Sequence, residues 1–232
     1  MERAVSVDWM MVPGIDVDSS AAAVELARRH PGRLIASAGL HPHDSERFDD
    51  QWPRLVELIP LASAIGETGL DYYRNLAPPE AQRRSFQAHI EAALAHRLPL
   101  IVHCRDAFAD VHDIIERSGA GPLTVLHCWT GGPKWTRRFL DLEVTFSFAA
   151  PVAFATGETV RLAAGVVPPG RAMVETDTPY LAPPPHRHEQ NEPEWVALVG
   201  TALAKVWGMD PDEVARVTSA RAAEVFGVPV AT

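Results

Sequence analysis

Cysteine is almost missing from this chain: Cys104 and Cys128 are the only two in 232 residues. Two thiols cannot make a disulfide framework, and their scarcity argues for a reducing cytoplasm. Basic charge is also short, with 21 Lys and Arg against 30 Asp and Glu and a net charge of −9. That balance argues against coating nucleic acid irrespective of sequence. An enzyme gripping one phosphodiester end stays open, because metal ions neutralise the carboxylates that hold them. No run of about 18 apolar residues occurs, so no membrane span is expected. MERAVSVDWMM lacks the basic start and long apolar stretch of a signal peptide. No glycine-rich dinucleotide fingerprint follows any apolar run, which disfavours a Rossmann sheet.

What is present is a rhythm. Apolar runs recur at VDWMMVPGI (7–15), RLIASAGL (33–40), LASAIGE (61–67), LPLIVHC (98–104), PLTVLHC (122–128), VTFSFAA (144–150) and AMVETD (172–177). Each is continuous rather than alternating, as in strands covered on both faces by helices. Helical patterns fall between them. SSAAAVELARRH (19–30) is one; WPRLVELI (52–59) puts Trp52, Leu55, Val56 and Ile59 on one face. PEAQRRSFQAHIEAALAHR (79–97) repeats Phe86, Ile90, Ala93 and Leu94, and DAFADVHDIIERSG (106–119) closes on a glycine suited to a C-cap. The last helix opens with Asp210 as N-cap, Pro211 in its first turn and Glu213 three on, and ends near Gly227. LAPPPH (181–186) reads as an ordered loop.

Strands separated by helices imply parallel βαβ units. The predicted fold is α/β in one domain over residues 1–232, either an open doubly wound sheet or a closed TIM-type (β/α)8 barrel. The strand count is one short of eight. Residues 1 to 6 read as the tail of a helix, so a first strand and most of a first helix are expected ahead of the first strand seen.

Four polar residues stand at predicted strand ends: Glu67, His103, His127 and Asp177. In a parallel barrel those ends open on one mouth, where active sites are built. Side-chain alternation then turns Cys104 and Cys128 away as packing residues. A lone strand-end histidine is more often structural than a ligand, and a strand-end acid often caps the next helix. Four at one level of successive βα units do not fit that explanation. Two imidazoles and two carboxylates suit one or two divalent ions, Mg²⁺, Mn²⁺ or Zn²⁺. Such an ion acidifies its bound water. Glu67 and Asp177 are the expected catalytic carboxylates, with Asp177 best suited to take the water's proton.

The loops add candidates for substrate binding. GETGLDYYR (66–74) offers Asp71, Tyr72, Tyr73 and Arg74, and HCRDA (103–107) offers Arg105 and Asp106. The arginines suit a phosphate or carboxylate, the tyrosines a stacked base or ring. Asp71 and Asp106 have a rival role as helix caps, and one tyrosine a rival role in the core. Trp129 in HCWTGG reads equally as an exposed loop aromatic or a lid over the core.

The strings GLHPHD, IGETGLDYYR, LIVHCRDA, VLHCWTGG and ETDTPYLAP, in this order, resemble the TatD family of metal-dependent deoxyribonucleases over residues 7 to 228. The resemblance implies an amidohydrolase-like barrel, a one- or two-metal centre and phosphodiester hydrolysis, often as a 3′-to-5′ exonuclease on DNA ends. Glu67 falls on the family's metal-bridging Glu, His103 and His127 on its strand-end histidine ligands, and Asp177 on its last-strand metal-binding Asp. GLHPHD alone looks like a metal-binding His-x-His pair. A complete strand and helix precede it, however, and the family places His-Pro-His after a later strand. His41 and His43 are therefore expected beside the substrate, with His43 able to steady a ligand from behind.

Two departures stand out. The family's opening Asp-x-His-x-His is not in this chain, and HRHEQNEP (186–193) leaves Arg187 as the sole cation where extra basic residues are usual. The second departure implies a weaker grip on a phosphate backbone. The first has two accounts: a start assigned too far downstream, or a true truncation that opens a barrel edge and leaves an inactive remnant. The rival activity is hydrolysis of a small amide, ester or lactone by an amidohydrolase-like barrel.

Overall fold

Local signals set the helix ends in the computed structural model, which describes residues 4–228. Helix α1 (Val17–Arg29) starts on a capping box. The Asp16 carboxylate accepts the Ser19 N–H at 2.7 Å, and the Ser19 hydroxyl accepts the Asp16 N–H at 3.0 Å. Helix α4 (Phe108–Ser118) stops at Gly119, φ +70°, where a side chain is disfavoured.

The chain divides into two compact units. Trp9–Leu126 carries β1 (Met10–Val12), α1, β2 (Leu34–Ala38), α2 (Phe48–Leu58), β3 (Ala64–Asp71), α3 (Pro79–His96), β4 (Leu100–Arg105), α4 and β5 (Thr124–Leu126). Each strand pairs in parallel with the next along the chain. Val17, Leu40, Phe48 and Leu55 form a core cluster between strand and helix layers, with Trp52 packed against it. Each such buried side chain contributes roughly 1.5–3 kcal/mol.

The other unit holds residues up to Asp8 and from His127 onward. It carries α5 (Pro133–Asp141), β6 (Thr145–Phe148), α6 (Glu158–Ala164), β7 (Ala172–Val174), α7 (Val196–Trp207) and α8 (Pro211–Phe226). β6 and β7 are parallel, in register from Phe146↔Ala172 to Phe148↔Val174. Helix α8 is capped as its sequence implies: Asp210 accepts the Asp212 N–H at 2.9 Å, and Gly227 ends it at φ +65°.

All seven predicted strands form, each shorter than its apolar run except β3, which runs on to Asp71. Several expectations need correction. Val56 and Leu94 are 43% and 40% exposed. Each sits at the edge of its apolar stripe, because a helix turns about 100° per residue. Ala4–Ser6 show no helix tail: Val5 and Ser6 form a turn, and residues 1–3 lie outside the described residues. Glu67 lies inside β3 rather than at its end, which is Asp71. His127 and Cys128 lie just beyond β5, with Cys128 at φ +43°, so strand alternation does not set their directions. Cys104 is buried and Cys128 half-buried. Among the described residues no helix is long and apolar enough to cross a membrane.

Candidate metal centre

The IGETG segment shapes the first cluster. Ile65 pairs with Leu100 and Thr68 with Val102, so two residues of β3, Gly66 and Glu67, stand against one of β4. Such a bulge re-aims a side chain. Gly66 (φ +123°) and Gly69 (φ +132°) permit it: a Cβ would lie 2.4 Å from the Ile101 carbonyl oxygen and 2.1 Å from that of His103. Glu67, 9% exposed, is thereby turned so that Oε1 lies 3.0 Å from His103 Nδ1.

The other nitrogen of His103 is held by Asp71. Asp71 Oδ2 lies 3.0 Å from His103 Nε2 and 2.9 Å from His43 Nε2, and Oδ1 accepts the Arg74 N–H at 2.7 Å. Its backbone is tied to Gln82, whose Oε1 accepts the Asp71 N–H at 2.8 Å. Burial alone would raise the Asp71 carboxyl. Hydrogen bonds from His103, the Arg74 N–H and His43 outweigh it and hold the group well below the usual carboxylate range. Ionised Asp71 accepts only, so it takes an N–H from His103 Nε2. His103 Nδ1 then turns a lone pair toward Glu67 Oε1. In that tautomer two acceptors lie 3.0 Å apart, an arrangement that a cation between or beside them would relieve.

His41 completes a trio: one donor atom each from His41, Glu67 and His103 lie within 4.8 Å of one another. Two imidazoles and a carboxylate suit a borderline divalent ion. The local bonding of His41 points to another task. Its Nδ1 accepts the His43 N–H at 3.2 Å, and burial lowers its pKa against the opposing pull of Glu67. The neutral ring therefore carries its proton on Nε2, 3.5 Å from Glu67 Oε1, as a donor rather than a ligand.

The other unit repeats this logic. His127 Nδ1 lies 2.8 Å from Glu175 Oε1, and Nε2 lies 3.7 Å from Asp177 Oδ1. Glu175 also accepts the Cys128 N–H at 2.8 Å and the Ser147 hydroxyl at 2.5 Å. It fixes the histidine, while the half-buried Asp177 faces its other nitrogen. Sequence reasoning missed Glu175. Its signal was the Glu-x-Asp spacing, since residues two apart in extended chain face one side.

The remaining candidates sort by surroundings. The Tyr72 hydroxyl donates to Asp110 at 2.7 Å and accepts from Arg83 at 2.9 Å. Burial, reinforced by Asp110, pushes it up to about 12. Tyr73 is 60% exposed, with the Arg105 guanidinium 4.1 Å above its ring. Arg74 and Asp106 are exposed. Asp106 does not cap α4, whose cap position is Ala107 with no side-chain bond. Arg187 stacks 3.7 Å over Phe154. Trp129 is settled as core: 1% exposed, it packs on Phe139 and Phe146 and donates to Thr136 at 2.9 Å.

Parallel βα units with paired imidazoles and carboxylates at or just past their strands define a class, the metal-dependent barrel hydrolases. Within that class the chain belongs to the TatD family: the family described as TatD related DNase matches residues 2–227. It is 33% identical over 238 residues to the 3′-5′ ssDNA/RNA exonuclease TatD of Salmonella typhimurium, covering 97% of this chain and 90% of that one. It is 30% identical over 230 residues to the metal-dependent hydrolase YabD of Bacillus subtilis, again covering 97% and 90%. The crystal structure of YJJV, a TatD homologue from Escherichia coli, superposes with a TM-score of 0.91 at 24% identity, over 98% of this chain and 90% of that one. The fold is thus the TIM-type barrel of these proteins, and the chain is a metal-dependent hydrolase of TatD type.

Proposed function

We propose that this hydrolase cleaves phosphodiester bonds in DNA from the 3′ end, with divalent ions held by Glu67 and His103 in one unit and by His127 and Asp177 in the other. One observation carries this reading: the carboxylate–imidazole–carboxylate arrangement occurs twice, as Asp71–His103–Glu67 and as Glu175–His127–Asp177. When bound, such an ion supplies Lewis acidity toward water and phosphate oxygens.

The side chains do the rest. Asp71 and Glu175 fix the imidazole tautomers and leave a lone pair where a ligand needs one. Asp177, a third exposed, is open to the water whose proton it takes. His41, through its Nε2–H, and His43, through the ring nitrogen that Asp71 does not hold, would meet the substrate beside Glu67. Arg74 and Arg105 supply guanidinium groups for phosphate, and Tyr73 a ring for a base. Tyr72 steadies its loop through Asp110, and Asp106 stays free to meet a polar group of the substrate. Arg187 is the one cation of its loop, and the net charge of −9 suits gripping a strand end rather than a long duplex. The name of the Salmonella relative supports both the polarity and the single-stranded substrate.

End-labelled single-stranded oligonucleotides and a panel of small esters, each with and without Mn²⁺, test the reading. Mn²⁺-dependent release of mononucleotides from the 3′ end is expected. Turnover of the esters alone overturns it.

A further inference from the structure

The turn after Asp177 is held more firmly than a passive loop needs. The Tyr180 N–H donates to the Asp177 carbonyl at 2.6 Å, closing a four-residue turn that keeps its end Cα atoms within about 7 Å. Asn191, 2% exposed, grips the turn from its buried side. Its N–H donates to the Pro179 carbonyl at 3.0 Å, and its side-chain amide to those of Tyr180 at 2.7 Å and Leu181 at 3.4 Å. One buried residue thus takes three consecutive carbonyls. Its own amide oxygen is buried with no partner among the described residues, a cost that the fold carries. Leu181 continues at φ +53°, a region unfavourable to leucine.

This clamp presents the Tyr180 side chain, which is 71% exposed. Packing does not explain the ring, since it is mostly in water. A single exposed aromatic is unremarkable on a loose loop, but this one sits on a backbone fixed three residues from Asp177. We propose that Tyr180 is the stacking platform for the base of the nucleotide being released, a subsite that rests on the nuclease reading above. A base lies one sugar away from its phosphate, and Tyr180 lies one tight turn away from Asp177. Stacking accepts every base because each has a π-face. An enzyme that removes nucleotides one after another needs that tolerance.

The test compares an oligothymidine with the same strand ending in a 3′ abasic residue, cut by wild type, Tyr180→Ala, Tyr180→Phe and Tyr180→Trp with Mn²⁺. Wild type should favour the base-bearing end by about 5- to 150-fold in kcat/KM, chiefly through KM. Tyr180→Ala should bring the ratio near one, while the Phe and Trp variants keep it. A ratio within one variant cancels any general loss of active protein. Should Tyr180→Ala be too slow to assay, fluorescence anisotropy of the two strands with Ca²⁺ reads the same ratio. A wild-type ratio in Tyr180→Ala, or its loss in Tyr180→Phe, overturns the subsite and leaves the nuclease reading intact. Wild type that cuts neither strand overturns both.

Discussion

Glu175→Gln isolates the charge that holds His127. The wild-type carboxylate accepts from Cys128 at 2.8 Å and Ser147 at 2.5 Å, and meets His127 Nδ1 at 2.8 Å. Glutamine keeps the shape. Its carbonyl oxygen can serve Cys128 and His127, while the Ser147 hydroxyl rotates to accept from the new NH₂. What is lost is the charge on the acceptor. Bonds to charged groups contribute about 1.5–3 kcal/mol against about 0.5–1.5 for neutral ones, so stability should fall by roughly 1–2 kcal/mol, or about 2–8 °C in Tm. The larger effect falls on the metal. A neutral partner makes His127 Nε2 less basic and less firmly aimed, so Mn²⁺ affinity should drop about 10- to 100-fold. Titration calorimetry with Mn²⁺, beside thermal melts of metal-free protein, separates the two effects. Wild-type Mn²⁺ affinity in Glu175→Gln would refute the reasoning and leave Glu175 as a brace for the Cys128 turn.

Asp71→Asn should lower kcat/KM on oligonucleotides about 10- to 100-fold by loosening His103 and His43. Because Asp71 stays ionised far below neutral pH, the wild-type acid limb should not move in that variant's pH–rate profile. His89 is fully buried, its Nε2 accepting the Leu40 N–H at 3.0 Å and its Nδ1 donating to the Ser85 carbonyl at 2.7 Å. Burial lowers it to about 4 against the opposing Ser85 bond. The unfolded chain then protonates first, so about 3 kcal/mol of stability is complete above the unfolded value near 6.5 and is lost as pH falls from there to about 4. Urea titrations across that window should show this slope in wild type and a flatter one in His89→Gln. Mn²⁺ at about 100 times its Kd should add about 2.7 kcal/mol and raise Tm by about 5–11 °C, with EDTA reversing the gain and abolishing hydrolysis. Trp129→Ala should cost about 3–5 kcal/mol, read as a lower urea midpoint at unchanged Mn²⁺ affinity.

The strands and the helices α1 to α4 and α8 were legible because each rests on a local pattern. The apolar runs, the Asp210–Pro211 start and the Gly119 and Gly227 stops act within a few residues of themselves. Glu67, His103, His127 and Asp177 were legible for a related reason: imidazoles and acids interrupt apolar runs at a repeated level. The bonding of these residues was not. Which oxygen meets which nitrogen depends on the β3 bulge at Gly66 and Glu67, and a bulge is a property of two strands together. Glu175 escaped notice because a carboxylate in Glu-Thr-Asp reads as one more acid until Cys128 and Ser147 are seen to converge on it. Helices α5, α6 and α7 were missed: the first two are only 9 and 7 residues long, and α7 opens at Trp195 without a side-chain cap. Except at β3, the length of each apolar run also overstated its strand, since buried loop residues are as apolar as those in the ladder.

Both clusters place carboxylates on either side of an imidazole, in a protein already at −9. That is a poor way to stabilise a fold. A buried carboxylate costs several kcal/mol unless hydrogen bonds and an opposite charge compensate it. Asp71 is compensated within the protein by the Arg74 N–H and two histidines, and Glu175 by the Cys128 N–H, the Ser147 hydroxyl and His127. Glu67 and Asp177 face the other imidazole nitrogen of each cluster, the side on which the proposed ion would sit. Ion binding and stability are coupled for this reason. The same asymmetry would suit the two proposed roles: a carboxylate bonded from behind can orient a ligand, and one that faces the imidazole can take a proton.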